Sequence, residues 1–262
     1  MARRRGASAP TGHAAVHVVA NEPNDSLADL VDLDLRAVRD AVGPQPQPHH
    51  GLGARLGARV ETVEHGLPAR AGTIGIATAI QESKLRNIDY GDRDSLGLFQ
   101  QRPSQGWGTS KQIMDPWYSS GKFYEELVKF GNWKDISIND AAQQVQRSGY
   151  PEAYRKHEPL AKAWASALTG HSPSALSCVN RSSETTTIDK LIQTVRKGMA
   201  DKIAIQTTGA TATFAARDLV STRAAVALTM ASTNLGPIDR ATVATTSWSA
   251  DPDHHASWSA AS

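Results

Sequence analysis

The chain has 262 residues, 40% hydrophobic and 21% charged, enough to bury the core of one large domain or two modest ones and too apolar for a chain disordered throughout. Its 28 Lys and Arg against 26 Asp and Glu leave a net charge of +2, without the basic field that nucleic-acid binding needs, so no nucleic-acid partner is expected. The single cysteine, Cys178, excludes a disulfide framework and a Cys-rich zinc site, and no run of ~18 apolar residues marks a membrane-spanning helix.

Residues 1–25 are small, polar and aperiodic and read as disordered. Arg3, Arg4 and Arg5 resemble the start of a signal peptide, but no apolar stretch follows, so no export signal is legible. Over residues 26–42, Leu27, Leu30, Val31, Leu35 and Val38 recur at helical spacing behind a Ser26–Asp29 capping pair, which predicts an amphipathic helix. The Pro/Gly-rich stretch 43–53 reads as a linker, so 1–53 forms a mostly disordered N-terminal segment with one helix.

Residues 54–170 read as the main domain. Arg55–His65 is helical in pattern, with Leu56, Val60 and Val63 on one side; Gly66 ends that helix and Pro68 opens the next. Gly72–Ile80 is apolar or small all round, which predicts a helix buried on most sides, and it runs directly into Gln81, Glu82 and Ser83. Residues 87–95 are a polar loop. Asp115-Pro116 starts a helix carrying Trp117, Phe123, Tyr124, Leu127 and Phe130, up to Gly131. Ser137 and Asp140 cap another, leading to Ala141, Ala142 and Val145. Pro151 starts a last helix with Leu160, Trp164 and Leu168 on one face, closed by Gly170.

Beyond 171 the composition turns to Ser, Thr and Ala. Helices are expected over 188–199 and 214–234, a strand over 240–248, and a frayed end over 256–262. The fold class is therefore mainly α: a helical domain, a disordered N-terminal segment and a small α/β extension over 171–262.

Glu82 is the leading candidate for chemistry. A carboxyl at the end of an apolar helix is poorly solvated, which raises its pKa and lets it donate a proton to a leaving oxygen, as glycoside cleavage requires. The competing reading is a solvated Glu paired with Lys84 or Arg86. Asp92 and Asp94 read either as a second carboxylate or as turn residues. Ser83 and Ser95 either orient Glu82 and its loop or cap local backbone. Trp107, in a Gly-rich loop, stacks on a sugar or anchors the loop. Gln146 and Tyr154 sit on later helices and can line the same groove. Trp117, Trp133 and Trp164 read as packing, and Trp248 and Trp258 as wall-binding aromatics or tail packing.

Other patterns fail. Ser119 and Lys122 fit S-x-x-K, but no K-T-G accompanies them. Asp92–Gly97 begins like a calcium loop, but Pro103 stands where the closing Glu is needed. The adjacent pairs His49-His50 and His254-His255 read as solvated. No metal or other cofactor is expected.

Glu82-Ser83, followed after the loop by Ser95-Leu96-Gly97-Leu98-Phe99-Gln100-Gln101-Arg102-Pro103, resembles the lytic transglycosylase and goose-type lysozyme group of the lysozyme-like superfamily. Phe99 stands where Met is commonest in that family. Asp115-Pro116 and Gly121–Tyr124 resemble its next helix, and Ala141–Pro151 occupies the place of its Tyr-Asn-Ala-Gly segment without the Tyr-Asn pair. The wording around Glu82 is closer still to actinobacterial envelope proteins with this domain, and the end of the chain loosely resembles their C-terminal extension. The likeness covers about residues 55–169.

The resemblance implies a lysozyme-like fold and cleavage of the β-1,4 bond between N-acetylmuramic acid and N-acetylglucosamine in peptidoglycan. Glu82 is then the general acid and base and Gln100 contacts substrate through its amide. The implied partner is the glycan strand, the implied form a monomer, and the implied place the cell envelope or outside the cell. The alternative is a wall-scaffolding protein that binds the glycan without cleaving it.

Overall fold

The structure is a computed structural model and describes residues 14–18, 67–177, 187–199, 202–209, 211–216, 218–231, 238–243, 246–250 and 256–260. The helices expected over 26–42 and Arg55–His65, the linker, Cys178 and both histidine pairs lie outside the described residues.

Helix α1, Ala69–Ser83, follows Pro68 and buries every residue from Ala71 to Ala79, as an all-apolar helix must. It ends on two left-handed residues, Lys84 (φ +55°) and Leu85 (φ +59°), whose N–H groups return to Ile80 and Ala79. A one-turn helix, α2 (Ser110–Ile113), carries a Thr109–Gln112 capping box. Helix α3, Pro116–Lys129, starts as expected, with the Asp115 carboxyl accepting from the Trp117 N–H at 2.9 Å. Helix α4, Ile138–Gln146, is capped by Ser137, which accepts from the Asp140 N–H at 3.0 Å.

The last helix of this part, α5 (Glu158–Leu168), opens at Glu158, with Pro159 second, and not at Pro151. Asn139 explains the shift. Its amide donates to the Pro151 carbonyl at 2.8 Å, and its carbonyl oxygen accepts from the Arg155 N–H at 3.0 Å. These bonds hold residues 151–154 as turns and Arg155–His157 as a 3₁₀ segment.

These elements share a core containing Ile74, Ile76, Leu98, Phe123, Leu127 and Tyr154. Phe99 and Phe123 stack with centroids 4.7 Å apart. Each large side chain buried in this way contributes about 1.5–3 kcal/mol. Gly75 sets the approach of α1 to α3, because a Cβ there would lie 2.3 Å from the Tyr124 hydroxyl oxygen.

A second core holds Leu191, Val195, Phe214, Leu228 and Trp248, together with Leu168 from α5. Its helices are α6 (Ile188–Met199) and α7 (Leu219–Ala231). Its strands are β1 (Ala14–Val18), β2 (Ile203–Thr208), β3 (Thr211–Ala216), β4 (Ile238–Val243), β5 (Thr246–Ala250) and β6 (Ala256–Ala260). They form one sheet in the order β2-β3-β1-β4-β5-β6, in which β1 runs parallel to both neighbours and the other pairs are antiparallel.

Four expectations change here. Ala14–Val18 is a strand inside the sheet, not part of a disordered tail. Residues 214–216 end β3, and α7 begins only after Asp218, whose carboxyl accepts from the Ser221 N–H at 2.6 Å and caps the helix. The strand expected over 240–248 is split between β4 and β5. The end is not frayed: the Ser-Trp-Ser-Ala sequence of β5 recurs in β6, and Trp248 pairs with Trp258 in register. Their indole N–H groups donate to the Ser177 hydroxyl and the Leu176 carbonyl, both at 2.9 Å, so both tryptophans pack.

The two cores meet at α5. Trp164 packs against both, and Trp117 of α3 lies beneath Lys197 of α6, whose ammonium is 4.1 Å from the ring centroid. The molecule is thus mainly α, with seven α-helices and one mixed sheet among the described residues. No helix among them is long and apolar enough to cross a membrane.

Candidate functional site

Glu82 occupies the last turn of α1, where the helix leaves the core. The Tyr154 hydroxyl donates to its Oε1 at 2.7 Å. Burial raises the carboxyl's pKa above the ordinary value, and the bonds from Tyr154 and, secondarily, the Gln146 amide pull it back only in part. No cation contributes to that balance, so the paired reading with Lys84 or Arg86 does not hold; both are exposed.

Tyr154 is fully buried, and burial together with the neighbouring Glu82 pushes its own pKa strongly upward. It is therefore a hydrogen-bond donor at any working pH and orients Glu82 from beneath. Tyr154→Phe removes the bond that favours the charged form, so the Glu82 pKa rises further. The basic limb of a pH–rate profile is expected to move to higher pH, while the optimum rate falls on the order of tenfold for one lost bond to a charged group. An unmoved basic limb would contradict this role.

The loop facing Glu82 is built from the Gly-Leu-Phe-Gln segment. Leu96 and Gln101 exchange two backbone hydrogen bonds, at 2.9 and 3.0 Å, closing a tight turn. Gly97 (φ +75°) makes this possible; a Cβ there would also lie 2.8 Å from the Ile113 carbonyl oxygen. Ser83 is buried, and its hydroxyl donates to Ala79 at 3.1 Å and across to the Leu98 carbonyl at 2.8 Å, locking the loop to the end of α1. Ser95 is buried against Gly91. Both serines belong to the frame of the site and do not offer a surface to a ligand. Gln146 of α4 holds the loop from the other side, its amide donating to the Phe99 carbonyl at 2.9 Å.

Two hollows flank this frame. One is an open groove of about 520 Å³ whose walls include Gln100, Trp107, Gln144, Gln146 and Arg147, with Lys122, Glu125, Glu126 and Lys129 of α3 along one side. The other, of about 560 Å³, is lined by Gln81, the turn 149–153 and Lys156, with Tyr150 standing 77% exposed. Glu82 itself lines neither; Gln81, its chain neighbour, borders the second, and Gln146, its amide partner, borders the first. Gln100 lines the groove in a left-handed conformation (φ +48°), but its amide donates to its own loop at Gly97 and Tyr90, 3.2 and 3.4 Å away. Trp107 is half-buried, packing on the core while facing the groove.

Neither candidate second carboxylate is placed for that work. Asp94 accepts from the Arg102 guanidinium at 2.7 Å, from the Ser104 N–H at 2.8 Å and from its hydroxyl at 3.0 Å, which hold its pKa far below the carboxylate range. It closes the loop 94–104. The Asp92 side chain is 93% exposed, 3.9 Å from Arg93. Ser119 and Lys122 do not form a nucleophile pair either: the Ser119 hydroxyl donates to Pro116 and Lys122 pairs with Glu125. No group of three or more potential metal ligands occurs among the described residues.

Sequence reasoning missed the groove's charged wall, including Arg102, Lys122, Glu125, Glu126, Lys129 and Arg147. At helical spacing Lys122, Glu125, Glu126 and Lys129 look like any solvated helix surface. Only Arg147, at the end of a helix where glycine is usual, carried a local signal. Scanned against protein-family models, the chain matches none, and no curated protein matches it significantly.

Proposed function

We propose that the protein cleaves the β-1,4 bond between N-acetylmuramic acid and N-acetylglucosamine in peptidoglycan, as a lytic transglycosylase of the lysozyme-like superfamily acting in the cell envelope. The observation that carries this reading is Glu82: a largely buried carboxyl, uncompensated by any cation among the described residues, gripped at one oxygen by Tyr154, with its neighbours Gln81 and Gln146 each bordering an open hollow.

Protonated Glu82 gives its proton to the glycosidic oxygen as the C1–O bond breaks and positive charge develops at C1. The C6 hydroxyl of the same muramic acid then attacks C1 and returns its proton to Glu82. A 1,6-anhydro ring forms, no water is consumed, and the acid is regenerated. Hydrolysis with inversion needs a second carboxylate roughly 6.5–9.5 Å away to activate water. The engagement of Asp94 with Arg102 and Ser104 and the exposure of Asp92 favour the intramolecular route. A buried acceptor, Gln144 Oε1, has no partner among the described residues and belongs to a residue of the groove wall.

Digestion of purified peptidoglycan followed by mass spectrometry tests the reading. Fragments ending in 1,6-anhydromuramic acid are expected. New reducing ends would replace the transglycosylase by a hydrolase, and retention of the protein on intact wall without fragments would replace the enzyme by a binding module.

A further inference from the structure

We propose that Arg147 recognises a carboxylate of the acidic peptide branch carried by muramic acid, so that the protein favours glycan bearing free peptide carboxylates. The inference rests on the glycan-cleavage reading and sharpens its substrate.

Four cations line the groove that Gln146 borders. Arg102 is held by Asp94, Lys122 by Glu125 at 2.6 Å, and Lys129 by Glu126. Arg147 has no anionic partner among the described residues, and the balance that sets the Glu82 pKa includes no contribution from it. It follows directly on Gln146, whose amide reaches Glu82, and both residues line this groove.

Its backbone adds to the case. Arg147 ends α4 in the left-handed region, at φ +51°, a position that favours glycine because a Cβ is strained there. The chain thus carries a long cation at a site where a smaller residue is more stable. Strain of this kind concentrates where a side chain has work to do.

The ligand class follows from chemistry. The hydroxyl and acetamido groups of the sugars are neutral and ask for no cation. Charge enters through the carboxylates of the peptide branch, and a guanidinium binds a carboxylate through two parallel N–H···O bonds.

The test uses the full chain and insoluble peptidoglycan in two forms: one with N-acetylated amines and free carboxylates, the other with those carboxylates coupled to methylamine. Binding is read by co-sedimentation in a Glu82→Gln background, so it does not depend on turnover. The free-carboxylate wall is expected to hold the protein about tenfold more tightly than the amidated wall. Arg147→Gln and Arg147→Gly should each bring the ratio close to one, whereas Lys111→Gln, which removes the same charge from an exposed site on α2, should preserve it. Arg147→Gly should also raise the melting temperature. A ratio unchanged by either Arg147 substitution, or reduced equally by Lys111→Gln, overturns the proposal. Absence of binding to both walls fails the glycan reading itself.

Discussion

Glu82→Gln is expected to abolish glycan cleavage and at the same time to stabilise the fold at neutral pH. The amide keeps the shape of the carboxyl and a partner for the Tyr154 hydroxyl but has no proton to give. Loss of a general acid and base costs on the order of 10²–10⁴ in rate. The stability gain follows from linkage. Burial raises the Glu82 pKa above the ordinary 4.5, so the folded state holds the proton more tightly than the unfolded chain. Stability from this group is fully present below the ordinary value and is lost as pH rises through the folded value. Above the ordinary value the unfolded chain gains from ionising this carboxyl more than the folded state does, and Gln removes that difference. Melting temperatures of the two proteins should therefore separate at pH 7, with the variant higher, and converge at low pH. A variant that melts below the parent at pH 7, or one that still releases fragments at the parental rate, would remove Glu82 from the role assigned to it.

Gly170→Ala should cost about 3 kcal/mol or more, measured by denaturant unfolding, through two additive causes. Gly170 sits at φ +83°, where a Cβ costs roughly 1–2 kcal/mol. That Cβ would also lie 2.0 Å from the Val220 carbonyl oxygen and 2.7 Å from the Ala224 nitrogen, both in the backbone of α7. A flexible side chain can swing aside, but a helix backbone cannot, so α7 must lift from the end of α5. Overpacking of this kind typically costs 1–3 kcal/mol. Because Trp164 packs against both cores, the loss should appear in the stability of the whole chain. Unchanged unfolding would show that the α5–α7 contact carries little of it.

Much of the helical part was legible because its signals are local. The apolar run of Gly72–Ile80 forced a buried helix, and the caps at Asp115 and Ser137 lie beside the turns they start. The bond between Tyr154 and Glu82 spans 72 residues, and no local rule connects them. Asp94, which reads in sequence more readily as a turn residue than as a second carboxylate, is settled only by distant partners, Arg102 and Ser104. The start of α5 was misread because Asn139, on another helix, holds the Pro151 turn. In the C-terminal part Thr favours strands and Ala favours helices, so Thr211–Ala216 has no decisive preference and takes its form from pairing with β2.

The position of β1 has a consequence for how the chain is made. Ala15 pairs with Thr211 and Val18 with Val243, partners separated by most of the polypeptide. β1 leaves the ribosome before the strands it pairs with and must wait, edges unpaired, while everything between is synthesised. The helical part can collapse early on its own neighbours, whereas the sheet closes last, around a segment older than all the rest of it. Loop closure over such a span is slow, and an open strand is an invitation to aggregation. Assembly of the sheet is therefore paced by the late reunion of β1 with β3 and β4.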